Sequence, residues 1–284
     1  MFDLRLTRRR ICLQGYGEFP PGLVQDSGLL TTDHAGLFKK TTPLEEWSAT
    51  LKGEALPLHR IEFAMSELPD FDLLEIEYTR PFEQRLDRLG EDVRVLWGSG
   101  KFYQTGAFVD ICNIGDLNGK TVLDIGCGFS DLIDFLGQQH IKIKGYYGID
   151  LSRRMVEIAR RRHPGFQFEQ RNIRTNPLPE DSVDYAIGSG IMFLRNPHWQ
   201  QYAKEVVGSM FQAARIGVAV NFLLSDGNTD DPELNFTTPD RVLRILRSVS
   251  DKLSVVENRR IEHFTVYLYK PKKRGAQALY GSLG

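Results

Sequence analysis

The sequence predicts an α/β protein built on a mostly parallel β-sheet. From Thr121 onward, short apolar runs alternate with amphipathic stretches of helical period, which is the pattern of βαβ units. Gly126 and Gly128 follow directly on the first run, as in folds that bind a ligand at the carboxyl end of the first strand. The last two runs have almost no connection between them. They therefore form an antiparallel hairpin, because a parallel pair needs a crossover of a dozen or more residues.

Each predicted element has its own local signal. Leu74, Tyr78 and Phe82 recur at helical spacing and indicate a helix over residues 71–90. Thr238 and Pro239 form the N-cap and first position of another helix. The predicted strands cover residues 121–125, 146–150, 166–169, 183–188, 216–224, 253–259 and 263–269, and the helices between them cover 131–139, 152–162, 199–214 and 239–249.

Residues 1–70 are predicted to be an N-terminal extension, because glycine and proline punctuate them and their apolar residues keep no sustained period. The extension either packs on the main domain or forms a lid over a substrate pocket, and the sequence leaves both open. The main domain is expected over 71–272, with a loose tail over 273–284. One helix is predicted in the extension, with a capping box and an apolar face, from Thr42, Pro43, Glu45, Leu44, Trp47 and Leu51.

The composition is that of an ordinary globular protein. The 284 residues are 41% hydrophobic and carry a net charge of -1, so no strong field recruits a polyanion or an acidic membrane. The three cysteines have no metal-binding spacing and are too few for a disulfide framework. No apolar run approaches the ~18 residues of a membrane-spanning helix. We therefore expect a cytoplasmic protein, with nucleic acid and membrane unfavoured as partners.

The segment Val122–Ser130, VLDIGCGFS, contains the main functional signal. Asp124 lies two positions before Gly126, and the second strand ends in Asp150. A carboxylate at that place can accept hydrogen bonds from both hydroxyls of an adenosine ribose. NAD uses the same geometry, but its fingerprint needs a third glycine beside the pyrophosphate. The chain has Asp131 there, and its negative charge disfavours NAD and favours a ligand with a sulfonium and an amino group.

These motifs resemble those of Rossmann-like (class I) methyltransferases that use S-adenosylmethionine (SAM). The resemblance extends through Asn172-Ile173 and 184–190. The Trp97-Gly98-Ser99 loop and the segment HFTVYLYK, 263–270, are similar to a subgroup of small bacterial methyltransferases, most of them uncharacterised. It implies a seven-stranded sheet with the last strand antiparallel, SAM as cofactor and S-adenosylhomocysteine (SAH) as product. Ser130 replaces a frequent glycine of the family, and Asn172 replaces its usual aspartate.

The resemblance also implies the site. Gly126 and Gly128 would pass under the methionine part of SAM, Asp124 would hold its amino group, and Asp150 would take the ribose hydroxyls. Cys127 is interpreted as a small spacer, because no histidine is near it in sequence to activate a thiolate. The predicted cofactor-binding residues are Trp97, Asp124, Gly126, Cys127, Gly128, Asp150, Leu151, Ser152, Met155, Asn172, Ile173 and Ser189.

The sequence indicates less about the molecule that accepts the methyl group. The apolar run Ile191-Met192-Phe193-Leu194 after the fourth strand favours a small, partly apolar molecule. That position lacks the Asn/Asp-Pro-Pro-aromatic loop with which some methyltransferases read a base amine. Weak candidates for a catalytic base are His198, Tyr78 and Tyr103, followed by His59 and His34; no metal site is predicted, because Asp226, Asp230 and Asp231 are interpreted as solvating a loop.

The arginines of helix 152–162, with Glu157 among them, are interpreted as a solvated face rather than a nucleic-acid surface. The leading hypothesis is therefore a SAM-dependent methyltransferase of a small molecule. An RNA or protein methyltransferase and a non-catalytic SAM-binding regulator remain alternatives. The sequence leaves the oligomeric state open.

Overall fold

The computed structural model describes residues 2–7, 10–15, 49–51, 54–56, 71–225 and 231–271. The chain divides into two compact units, Met1–Asp70 and Phe71–Gly284. Within the described residues, no helix is long and apolar enough to cross a bilayer.

The first unit contains a four-stranded sheet in the order β1-β2-β3-β4. Strands β1 (Phe2–Thr7) and β2 (Arg10–Gly15) are antiparallel, β3 (Ala49–Leu51) is parallel to β2, and β4 (Glu54–Leu56) is antiparallel to β3. The helix predicted here is wrong at its end, since Leu51 belongs to a strand. Backbone pairing of β3 with Ile11 and Cys12 overrides the local helical spacing. Thr42, Pro43, Leu44, Glu45 and Trp47 lie outside the described residues.

The second unit is a mostly parallel sheet with helices between its strands, as predicted. Its strands run in the order β11-β12-β9-β8-β5-β6-β7. They are β5 (Thr121–Ile125), β6 (Gly145–Asp150), β7 (Gln167–Gln170), β8 (Val183–Gly188), β9 (Ala214–Leu224), β11 (Leu253–Asn258) and β12 (His263–Tyr269).

The hairpin predicted at the end of the chain is confirmed. Strand β12 is antiparallel to both β9 and β11, so its first residue lies at the edge of the sheet where the parallel strands end. An eighth strand, β10 (Phe236–Thr237), was not predicted; it pairs with the end of β9. Two residues are too short for a strand pattern to be recognised in a sequence.

The helices are α1 (Phe71–Leu89), α2 (Lys101–Cys112), α3 (Asp131–Gln138), α4 (Arg153–Arg162), α5 (Trp199–Ala213) and α6 (Pro239–Leu246). Helix α4 begins where Ser152 caps it and accepts a hydrogen bond from the Met155 amide, and it buries Met155, Ile158 and Ala159 as predicted. Helix α6 starts at Pro239 after Thr238. Buried Leu123, Ile149, Ala186 and Val220 place the core along the sheet, which fixes the strand ends in space.

Candidate functional site

The loop after β5 is a glycine cradle. Gly126 and Gly128 have positive φ angles of 66° and 52°, in a region that strains other residues. A Cβ on Gly126 would lie 2.5 Å from Ile191 Cγ2, and one on Gly128 would lie 2.7 Å from Leu96 Cδ1. Both positions therefore require glycine for conformation and for space, and they let a ligand approach the backbone closely.

Asp150, at the end of β6, holds this loop. Its Oδ2 accepts a hydrogen bond from the Gly128 amide at 3.0 Å, and its Oδ1 accepts one from the Ser152 amide at 2.8 Å. Burial raises the pKa of the Asp150 carboxyl, and the two amide hydrogen bonds oppose that shift. The carboxylate thus fixes the cradle and the start of α4 at once, while it still lines the cleft beside them.

Asp124 is the most deeply buried acid of the site, with 4% of its surface exposed. The Tyr146 hydroxyl donates a hydrogen bond to its Oδ2. Burial, followed by repulsion from Asp150, raises the pKa of Asp124 to about 7, although the Tyr146 hydrogen bond acts in the opposite direction. A cationic ligand group beside Asp124 would restore the ionised form.

Two residues beside the glycines, Ser130 and Asp131, stand where the motifs discussed above have glycine. Ser130 takes the left-handed conformation, with φ 61°, so it keeps the backbone shape of the glycine that it replaces. Asp131 accepts hydrogen bonds from Gln104 Nε2 at 2.8 Å and from Arg162 at 2.7 Å. Since Arg162 compensates its charge, Asp131 repels a pyrophosphate less than the sequence suggests.

Asn172 follows β7 and is tied to α1. Its amide nitrogen donates to Glu75, and its Oδ1 accepts from the Arg174 amide at 2.9 Å. Glu75 also forms a bidentate ion pair with Arg174, at 2.9 and 3.0 Å. The side chains of Glu75 and Arg174 are only 6% and 10% exposed. This buried cluster holds Asn172 and Ile173 at the cleft. In the sequence, Glu75 is only an acidic residue in a predicted helix, and no pattern indicates its contact with Asn172.

Three rings form an aromatic wall, defined as Trp97, Phe193 and His263. The His263 ring centroid lies 4.8 Å from that of Phe193 and 5.6 Å from that of Trp97. Trp97 and Phe193 meet edge to face at 5.5 Å, a favourable arrangement for aromatic pairs. All three line the same cleft as Asp124 and Asp150.

The aromatic wall is positioned by the strands around β9. The Phe193 carbonyl accepts a hydrogen bond from the Asn235 amide at 2.7 Å. His263 is the first residue of β12 and pairs with Leu223 of β9. Buried Asn221 of β9 accepts from the Gly190 amide at 2.8 Å, which holds the loop after β8. The wall is therefore part of the sheet framework.

The cleft has a volume of about 750 Å³ and collects most of the predicted site residues. Gly128 is absent from its lining, but the Gly128 amide binds Asp150. Tyr78 lines the cleft, and burial raises its pKa to about 12. The lining residues predicted from sequence are Trp97, Asp124, Gly126, Cys127, Asp150, Leu151, Ser152, Met155, Asn172, Ile173 and Ser189.

Other candidates lie elsewhere. Tyr103 packs against the cluster that contains Trp97. His198 is exposed and directly precedes α5. Neither residue lines the cleft. His34 and His59 lie outside the described residues. Sequence reasoning missed His263, and its only available signal was its place at the start of a strand that returns antiparallel to the ligand edge.

The Cys127 thiol is buried, and burial followed by repulsion from Asp150 raises its pKa well above the usual value. It is therefore a neutral thiol, as a spacer would be. Within the described part of the chain, no cluster of three His, Cys, Asp or Glu side chains is arranged to hold a metal ion. Asp231 is exposed, and Asp226 and Asp230 lie outside the described residues.

A comparison with known families finds one match. Residues 122–210, from β5 into α5, match a family described as "Methyltransferase domain". The predicted fold class is confirmed, since the chain shares its fold with solved Rossmann-like, class I methyltransferases. The match of 122–210 supports the predictions of an enzyme and of SAM as its methyl donor.

Solved structures share the fold of this methyltransferase at low sequence identity. Magnesium protoporphyrin IX methyltransferase from Synechocystis PCC 6803 with bound SAH is 15% identical, with a TM-score of 0.52 over 71% of this chain and 100% of that one. The same enzyme with bound SAM is 16% identical, with a TM-score of 0.50 over 72% and 98%. A SAM-dependent methyltransferase from Aquifex aeolicus is 19% identical, with a TM-score of 0.48 over 66% and 97%. No curated protein sequence matches this chain.

Proposed function

We propose that the methyltransferase transfers the methyl group of SAM to a small, partly apolar molecule bound in the same cleft. The observation that carries this proposal is the continuity of the cleft. It joins Asp124 and Asp150 on one side to the aromatic wall on the other within about 750 Å³, a size typical of small-molecule sites.

The residues present fit the donor. Gly126 lines the cleft without a side chain, so its backbone could lie against the methionine part of SAM. Asp150 would accept hydrogen bonds from the ribose hydroxyls, and Asp124 would face the amino group. Leu151, Ser152 and Met155 would border the adenine, with Asn172 at its edge and Ile173 on its face. When bound, SAM supplies an electrophilic methyl group, and the protein's task is to position the acceptor against it and exclude water.

The acceptor end follows from the strand order. Asp150 ends β6 and Asp124 belongs to β5, so the cleft continues from them past β8 and β9 toward β12. Trp97, Phe193 and His263 line that end, and Tyr78 and Tyr202 also line the cleft. Such a lining supports a compact acceptor molecule with an apolar body. This aromatic lining is the basis for the proposed class of acceptor.

The arginine face of α4 supports a small molecule over a nucleic acid. Arg154, Arg161 and Arg162 form ion pairs with Asp87, Glu91 and Asp131. Arg153 pairs with Glu157, and Arg160 donates to the Phe168 carbonyl. These cations are compensated by neighbouring groups, so they do not present the unpaired basic surface that phosphate binding uses.

Labelled methyl transfer tests the proposal directly. Purified protein is incubated with methyl-labelled SAM and a cell extract separated into metabolites, RNA and protein. We expect label in the metabolite fraction and SAH binding by calorimetry. Label confined to RNA or protein would contradict the acceptor class, and absence of SAH binding would contradict the donor site.

SAH affinity is expected to rise with pH between about pH 5 and pH 7. Asp124 binds a proton in the free protein below its pKa of about 7, whereas the ligand's amino cation favours the carboxylate. Binding below pH 7 therefore releases a proton, and affinity gains up to about tenfold per pH unit, or about 100-fold over two units.

Calorimetry across that pH range checks this expectation. Tyr146, Asp150, Cys112 and Cys127 are the titratable neighbours of Asp124, and the pKa of Asp150 is also raised. The Asp124→Asn variant distinguishes the effect of Asp124 from that of Asp150, because it removes only the titration of Asp124. We expect weaker and flatter binding in the variant. Wild-type affinity that stays constant from pH 5 to pH 7 would refute the assigned role of Asp124.

A further inference from the structure

The aromatic wall contains one side chain with acid–base chemistry, the imidazole of His263. It is 4% exposed and lines the cleft. Its Nδ1 is buried and has no hydrogen-bond partner among the described residues. A ligand in the cleft cannot reach an atom without exposed surface, so it would meet the other nitrogen of the ring, Nε2, for which no hydrogen bond is present among the described residues.

His263 is neutral in the free protein. Burial lowers its pKa to about 4, so the ring keeps a lone pair on one nitrogen at neutral pH. No charged group among the described residues contributes to that shift. Of the charged residues that line the cleft, Glu233 acts on Arg85 of α1.

We propose that His263 is the general base of the methyl transfer and that the acceptor is a planar molecule carrying a hydroxyl or a ring N–H. The proposal rests on the proposed function and names the substrate class for the same cleft. His263 contacts both Trp97 and Phe193, so a flat molecule beside the base would have apolar contacts with their rings. An acceptor with a proton to lose would give the ring nitrogen at the cleft a partner.

The step balances in atoms and charge. The acceptor oxygen or nitrogen forms a bond to the methyl carbon, and the carbon–sulfur bond breaks with its electron pair left on sulfur. The acceptor proton passes to the free nitrogen of His263. One positive charge is present in the cleft before the step, on the sulfonium, and one after it, on the imidazolium.

Phenol and toluene are suitable probes, because they have the same ring and similar size but differ in the hydroxyl. The protein is labelled with ¹⁵N-histidine, and the His263 signals, among those of six histidines, are assigned by their loss in His263→Gln. In the SAH complex, we expect phenol to shift the His263 nitrogen signals and toluene to leave them nearly in place. Equal shifts with both probes, or none with phenol, would overturn the proposal.

Methyl transfer from labelled SAM to phenol gives a second readout. His263→Gln is expected to lower the rate at least about 100-fold, the usual range for loss of a general base, with SAH affinity unchanged. The matched control is His198→Gln, a change at an exposed histidine outside the cleft, which should keep the wild-type rate. A His263→Gln rate close to wild type, or no phenol methylation by a wild-type protein that binds SAH, would overturn the proposal. Loss of SAH binding in the wild type would instead refute the proposed function.

Discussion

Replacing Asp150 with alanine is expected to weaken SAH binding about 100-fold or more. The change removes the acceptor for the ribose hydroxyls, and hydrogen bonds to a charged group contribute about 1.5–3 kcal/mol each. It also leaves the Gly128 and Ser152 amides without the carboxylate that they bind at 3.0 and 2.8 Å. The cradle therefore loosens in addition to losing a ligand contact. Calorimetry measures the affinity, and hydrogen exchange at Gly128 and Ser152 measures the loosening.

Two further variants serve as comparisons for the effect of Asp150→Ala on SAH binding. Asp150→Asn keeps one oxygen acceptor and most of the shape, so its affinity should lie between those of the wild type and the alanine variant. Asp116→Ala, in an exposed turn before β5, controls for the loss of an aspartate and should bind SAH normally. An Asp150→Ala protein with wild-type affinity would show that the ribose is held elsewhere.

Glu75→Ala is expected to lower the free energy of unfolding by about 3 kcal/mol or more. Removing one member of a buried ion pair typically costs about 3–5 kcal/mol. Here the change takes the bidentate partner from Arg174, which keeps Glu205 at 3.8 Å, and the hydrogen-bond acceptor from Asn172. For a domain of this size it corresponds to a fall in Tm of about 6–12 °C.

Urea or thermal unfolding monitored by circular dichroism tests this expectation. The matched control is Glu77→Ala, two positions along the same helix on an exposed side chain, where the change should stay within about 0.5 kcal/mol. Equal losses in the two variants would mean that the Glu75 ion pair contributes no more than a surface carboxylate.

The sequence predicted the parallel part of the fold because each strand there ends in a recognisable signal. Apolar runs stop at Gly126, Asp150 and Gly188, and the helix caps at Ser152 and Thr238 are local features. The short hairpin connection then fixed the direction of β12 by geometry alone. The donor end of the site followed, since its residues lie within a few positions of those strand ends.

The rest depended on contacts between distant segments. Ala49–Leu51 forms a strand because it pairs with Ile11 and Cys12, a partnership that no local pattern reveals. Glu75 meets Asn172 and Arg174 only after α1 packs on the sheet. His263 lies far along the chain from Asp124 and reaches the cleft because β12 pairs in register with β9. His198 is close to β8 in sequence, but it does not line the cleft in the folded protein.

The antiparallel course of β12 has a consequence for how this enzyme can change. The proposed donor end lies on β5, β6 and β7, whereas the proposed base belongs to a hairpin whose turn, Arg259–Glu262, connects the last two strands. Residues at this hairpin tip can be exchanged without touching the segments that recognise SAM. If the two proposals hold, acceptor preference is separable from cofactor use, and mutant libraries confined to 259–262 are the natural starting point for changing the substrate.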